Sequence, residues 1–353
     1  MVVLMKATRR QLAERAGWRP GLAGLLILFL LGGCVSLPPG VDREFSCGRS
    51  LPNHYGGPAA CGTWQVDKPG TGEDFQGLPV QDGLVVLIEQ PEPASLFLSL
   101  AAQRHAPFVH AGLIALEPGG PVVYESFGVF SPWGSGPPTI RMGGGVRRVT
   151  LRSFLRRPGI IAAYAPPPGT EAQAVVRYAR TQHSLRTAFD GRFDPDDAGA
   201  FYCVEFVARA LEAGGAQPLP RVPLTRNASM RVVLDWLQVS PAGLLLAGDL
   251  ASPARRVWLL SRHYRPAQID RYFALQNELH ARFTPEQKLG ALFQWRGFGL
   301  RWRPRVRHYL ETGLGNTAED PLQLARRLFE GRDPVSAMPP DPGPARTVPA
   351  GGS

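Results

Sequence analysis

Apolar and polar positions along this chain follow two alternating periods, and each change of period marks a predicted element. An unbroken apolar run over 84–88, Leu-Val-Val-Leu-Ile, predicts a buried strand, and the apolar stretch 95–103 predicts a helix. The runs 109–116 and 122–127 have strand composition, and Glu117-Pro118-Gly119-Gly120 between them is turn chemistry that predicts a hairpin. Residues 146–151 and 160–164 continue the sheet, with a short helical piece between them. An amphipathic helix is expected over 171–183, introduced by Pro166-Pro167-Pro168-Gly169. Residues 189–200 carry the Asp and Pro of a loop that leads into a helix. Over 202–213 Val204, Phe206, Val207, Ala210 and Leu211 recur at helical spacing, and Gly214-Gly215 ends the segment.

Outside this dense region the pattern weakens. Residues 34–80 are rich in Gly and Pro and read as a tether. Residues 81–250 hold the main domain. Residues 251–335 are rich in aromatic residues and Arg and predict a mainly helical extension, and 336–353 have the composition of a disordered tail. Two readings of the extension stay open. Its aromatics fill an interface core, or Trp295, Arg296, Arg301, Trp302 and Arg303 form an amphipathic face for lipid headgroups or a substrate groove.

The N-terminus changes the picture. Lys6, Arg9, Arg10, Arg15 and Arg19 precede an apolar run at 21–31 that is too short for a typical spanning helix. The sequence Leu31-Gly32-Gly33-Cys34 resembles the lipobox of bacterial lipoproteins. The resemblance implies that 1–33 is a signal peptide and that Cys34 becomes an acylated N-terminus. With roughly 0.8 kcal/mol for each buried methylene, two or three acyl chains hold a protein on a membrane without a spanning helix. Val35 is not the Asp of an inner-membrane retention signal, so the expected location is the outer membrane, facing the periplasm. In that oxidising compartment Cys47 and Cys61 are expected to pair, closing a loop worth roughly 3 kcal/mol in the chain-entropy account. Cys203 is then left over, either buried and inert or kept for chemistry.

Composition excludes some classes. The 353 residues are 44% hydrophobic, enough for a real core, and the net charge of +10 comes almost entirely from scattered Arg. No nucleic-acid motif accompanies that charge, so no nucleic-acid partner is expected, and a solvated surface accounts for it. No His/Cys cluster has metal-ligand spacing, so neither metal nor cofactor is expected. Oligomeric state is not readable.

Cys203 falls in the first turn of its predicted helix, where backbone N–H groups and the helix dipole favour a thiolate. Such a nucleophile needs a base and a group to orient the base. His110 opens the predicted strand 109–116, and Glu125 lies on the next strand. Antiparallel pairing can bring both to one face, with Glu125 accepting from one ring nitrogen while the other addresses Cys203. The Cys203 backbone N–H is the first candidate oxyanion donor. Glu205, in the same turn, reads as a structural or capping partner.

The order of these segments, Asp82-Gly83-Leu84-Val85-Val86, then Val109-His110-Ala111-Gly112, then Val123-Tyr124-Glu125, then Phe201-Tyr202-Cys203-Val204-Glu205, resembles the circularly permuted NlpC/P60 proteins of the YiiX/YaeF type. The resemblance covers about 81–250. It implies an α+β, permuted papain-like fold with an antiparallel sheet, in which Cys203 is nucleophile, His110 base and Glu125 the third member. Asp82-Gly83 inverts the usual Gly-Asp, and Val204 stands where Ser is frequent. The implied activity is hydrolysis of an amide, such as a cell-wall peptide, or of an ester. Lipid acyl transfer on the same fold, a non-catalytic envelope lipoprotein that binds peptide or glycan, and an assembly tether are the alternatives.

Overall fold

The computed structural model describes residues 63–67, 73–131, 141–157, 159–261, 264, 266–283, 289–296 and 299–330. Cys34, Cys47, Cys61 and the tail 336–353 lie outside them, so the expected lipidation, disulfide and disorder do too.

Unbroken apolar runs become the middle of a sheet. The strands β1 (Thr63–Val66), β4 (Val85–Glu89), β5 (His110–Ala115), β6 (Val122–Ser131), β7 (Arg141–Thr150), β8 (Ile160–Tyr164) and β9 (Arg256–Ser261) form a seven-stranded sheet in the order β1-β9-β8-β4-β5-β6-β7. All pairings are antiparallel. Every residue of β4, β5 and β8 is buried, as expected for strands covered on both faces. A separate small pair joins β2 (Glu73–Phe75) to β3 (Leu78–Val80).

Side-chain alternation assigns the two faces. Val85, Leu87, Ala111, Leu113 and Tyr124 enter the larger core, and Val86, Ile88, Ile114 and Val123 enter a second core with Phe154 and Trp258. The helices α1 (Pro93–Ser99), α3 (Ala172–Ser184), α4 (Cys203–Ala213) and α5 (Ala228–Leu237) supply side chains to the larger core. The short α2 (Leu151–Leu155) covers the opposite face, its Thr150 hydroxyl accepting from the Ser153 N–H as N-cap. In α4 all five residues expected at core spacing are buried. The predicted helix at 95–103 is shorter and earlier than expected, because Pro93 can occupy the first helical turn without losing a donor that the helix needs.

The sheet corrects the expected domain limits. It does not stop at Leu250, because β9 inserts between β8 and β1, and β1 itself comes from the stretch read as a tether. Local composition cannot report such pairing, since β1 and β9 meet across nearly 200 residues of chain. Trp258 is fully buried, and its indole N–H donates to the Pro79 carbonyl at 3.0 Å, which ties β9 to β3. The extension beyond is helical only in part. It consists of α6 (Pro266–Phe283), a hairpin of β10 (Phe293–Arg296) and β11 (Gly299–Trp302), α7 (Pro304–Gly315) and α8 (Pro321–Ala325). Trp302 is buried and stacks on Phe293 with ring centroids 5.4 Å apart, so this aromatic belongs to the interface core while Arg301 and Arg303 are exposed. Gly313 lets α7 approach α6, where a Cβ would come within 2.4 Å of a Leu275 methyl.

Truncation after Leu250 is therefore expected to leave no folded domain, because it strips a strand from inside the sheet. Loss of the far-UV and near-UV dichroism of the full chain checks this. Trp258→Ala is expected to cost about 3–5 kcal/mol, read as a lower urea midpoint at unchanged m-value.

Candidate functional site

Register brings His110 and Glu125 together. Ile88 stands opposite His110, Glu125 opposite Arg147, and Leu113 opposite Tyr124, so by alternation His110 and Glu125 project from one face of the sheet. Gly112, two residues along β5 from His110, lets β6 approach on that face, where a Cβ would come within 2.7 Å of a Val123 methyl. The His110 Nε2 lies 2.6 Å from Glu125 Oε2. The imidazole is wedged against Phe127 and Phe154, with centroids 6.1 and 6.3 Å away.

Two arginines complete the cluster. Arg157 donates to both oxygens of Glu125, and Arg147 Nε donates to Oε1 at 2.8 Å. The Arg147 guanidinium also rests 3.4 Å from the centre of the Phe127 ring. Glu125 is wholly buried, and desolvation by itself pushes a carboxyl up. The bonds from Arg157 and His110 outweigh that push and hold Glu125 well below the usual carboxylate range. Burial lowers the pKa of His110. Glu125 opposes that effect and the charges of Arg157 and Arg147 reinforce it, so the ring is neutral near pH 7. A neutral ring whose Nε2–H is donated to a carboxylate keeps Nδ1 as an acceptor.

Cys203 arrives from the other side. The body of α4 packs on the Ala111–Leu113 face, and the thiol meets the sheet where the chain enters β5. Its Sγ is 4.0 Å from the carbonyl oxygen of Val109, the residue before His110. The thiol is half-buried and in no disulfide among the described residues. Three contacts fix the start of α4. Ser126 Oγ on β6 donates to the Phe201 carbonyl at 2.5 Å, the Phe201 N–H donates to Ala188, and the Leu245 N–H donates to the Tyr202 hydroxyl at 2.8 Å. Tyr202, the N-cap, provides no side-chain cap.

His110 and Cys203 line one cavity of about 190 Å³. Its walls are mostly apolar and include Phe97, Phe108, Phe127, Met230, Leu234 and Leu245. Glu205 is fully buried, and the groups that favour its charge are the Tyr202 backbone and Arg209, whose Nε stands 3.7 Å off. Burial, with Asp190 nearby, pushes it up to about 8 against the pull of Arg209.

Arg147, Arg157 and Ser126 were not singled out from sequence. Position within β7 was the usable signal for Arg147, since a strand paired to Glu125 must set some residue opposite it. Arg157 follows α2 and carried no such signal. Among the described residues no group of three or more His, Cys, Asp or Glu side chains is arranged to hold a metal ion. No helix among them is long and apolar enough to cross a membrane.

No family model matches the chain, and no curated protein matches it. Among solved structures it resembles the metalloprotein yiiX from Escherichia coli O157:H7, described as DUF1105, with a TM-score of 0.38 and 16% identity. The match covers 53% of this chain and 98% of that one. A likeness of that size fixes neither an activity nor a residue's role.

Glu125→Ala would leave two guanidinium groups without their carboxylate and is expected to destabilise the fold by about 3–5 kcal/mol, measured by chemical denaturation. The acid limb follows from the same groups. Both pKa values are lowered by folding, so the unfolded chain binds more protons and stability falls as pH drops, first below about 6.5 through His110 and then below about 4.5 through Glu125. His110→Asn should flatten the first part of that limb.

Proposed function

We propose that this chain is a thiol-dependent acyl hydrolase or acyl transferase with a permuted papain-like site of the NlpC/P60 type, in which Cys203 is nucleophile, His110 base and Glu125 the group that fixes the ring. The observation that carries the reading is a thiol in the first turn of an 11-residue helix sharing one cavity with an imidazole whose Nε2 is held by a buried carboxylate. Such a ring accepts the thiol proton at Nδ1 as sulfur attacks the carbonyl carbon of an amide or ester. The tetrahedral oxyanion then collapses, the bond to nitrogen or oxygen breaks, and the ring returns its proton to the departing amine or alcohol. Water, deprotonated by the ring, attacks the resulting thioester and releases a carboxylic acid and the thiol. An alcohol or amine in place of water gives transfer instead. The first N–H groups of α4 are the candidate oxyanion donors, since Phe206 is the first residue of the helix whose N–H bonds back, to Tyr202.

The cavity lining favours one substrate class over another. Its apolar walls suit the hydrocarbon of an acyl group better than a polar cell-wall peptide. With this function goes the expected location, a lipoprotein acylated at Cys34, closed by Cys47–Cys61 and facing the periplasm. Palmitate labelling lost in Cys34→Ala would support that location, and retained labelling would remove it.

Iodoacetamide labelling of Cys203 is expected to have its pH midpoint well below the roughly 8.5 of an ordinary thiol, and to lose that shift in His110→Ala. An ordinary midpoint unchanged by the substitution would overturn the hydrolase reading in favour of a binding lipoprotein. With p-nitrophenyl esters, kcat/KM should rise from acetate to octanoate and vanish in Cys203→Ala. A flat series with activity intact would retain the mechanism and reject the acyl class.

A further inference from the structure

The residue that delivers His110 to the site has a strained backbone. Phe108, two positions before His110, has φ of +72°, in a region that bulky L-residues avoid at a cost of order 1–3 kcal/mol. Something must hold it there. Its N–H donates to Glu89 Oε2 at 3.1 Å, and the next residue, Val109, donates from its N–H to the Ile88 carbonyl at 2.8 Å. Glu89 is buried at the end of β4, and its other oxygen accepts from Ser95 Oγ at 2.5 Å and from the Tyr272 hydroxyl at 3.1 Å. Gln276 donates to that same hydroxyl. Tyr272 and Gln276 lie one turn apart on α6, and Phe273 beside them packs on the Phe108 ring with centroids 5.3 Å apart.

Among the described residues no arginine or lysine is bonded to this carboxylate, unlike Glu125, and its burial pushes it up to about 7. A buried acid without a cation is a costly way to fill a core, and Gln or Leu would fill the volume more cheaply. What it does have is three donors from three separate elements, namely α1, the strained turn before β5, and α6. Phe108 also lines the cavity, and the carbonyl of Val109 lies 4.0 Å from the Cys203 thiol.

We infer that Glu89 is a positioning residue, clamped by Tyr272 of α6, that holds the left-handed turn at Phe108 and thereby sets His110 against Cys203. On this inference the extension is part of the site's machinery although it supplies no reacting group. The inference rests on the function proposed above only for its kinetic readout.

Three variants in the full chain without its signal segment test it: Glu89→Gln, Glu89→Ala and Tyr272→Phe. Glu89→Gln retains an acceptor for the Phe108 N–H, and Glu89→Ala does not. The first readout is the set of His110 ring nitrogen resonances, observed well below the unfolding temperature. They are expected to shift in Glu89→Ala and Tyr272→Phe and to stay near the wild-type values in Glu89→Gln. The second is the ester assay, where kcat is expected to fall roughly tenfold to a hundredfold in Glu89→Ala with KM little changed, since small misplacement of a reacting group costs that much. Tyr272→Phe, which removes one hydroxyl, covers the case in which Glu89→Ala does not fold. Wild-type resonances in Tyr272→Phe, together with a Glu89→Ala chain that is either unfolded or wild-type in its resonances, would overturn the inference and leave Glu89 a structural residue. If the wild-type thiol is not activated, the function proposed above falls, and the resonances still decide the positioning role.

Discussion

A carboxylate with no exposure to water governs the architecture around the site. Burying an ion costs several kcal/mol even after relaxation, and Glu125 is tolerated because two guanidinium groups and an imidazole converge on it. Those partners come from β5, β7 and the chain just beyond α2, so the charge requires all of them to be in register at once. A one-residue slip of β5 against β6 would turn His110 to the opposite face and leave Glu125 beside alanine and leucine. Few faults would cost a sheet more. The ring is thus held by the same interaction that fixes the strand pairing, and its preorganisation comes with the fold.

The apolar pattern was a sound guide wherever burial alone determined the element. The run 84–88, the run 160–164 and the five core positions of 202–213 are buried on a strand or helix because nothing but a core accommodates them. His110 and Glu125 were also legible as neighbours, since two strands joined by a Pro-Gly-Gly turn have few alternatives. What the pattern could not reach was long-range pairing. β1 and β9 meet through backbone hydrogen bonds that carry no residue code, and α5 has little in its sequence to mark its start beyond Asn227, which caps the first turn. The arginines that stabilise Glu125 were hidden among the 39 Lys and Arg residues, indistinguishable by composition from those that only meet solvent. Glu89 was hidden for a similar reason, as a charged residue at a strand end.

Glu125 on β6 and Glu89 on β4 lie either side of β5 in one sheet, both almost without exposure, and their acidities are driven apart by their partners. Glu125 has cations and is held low. Glu89 has hydroxyls and one amide, whose bonds do not outweigh desolvation, and it is driven up to about 7. The signs of their contributions are therefore opposite. For Glu125 the folded pKa lies below the unfolded one, so its stabilisation exists above about pH 4.5 and is lost in acid. For Glu89 the folded pKa lies above, so its contribution is complete below about 4.5 and is lost as pH rises through about 7; Glu205, driven up to about 8, follows the same sign. One sheet thus carries a carboxyl that cations hold ionised and a carboxyl that burial drives toward its neutral form. The first orients the imidazole, and the second sits under the turn that delivers it. A proton gained by Glu125 weakens the bond that orients the imidazole, whereas an ionised Glu89 still accepts from Ser95, Phe108 and Tyr272.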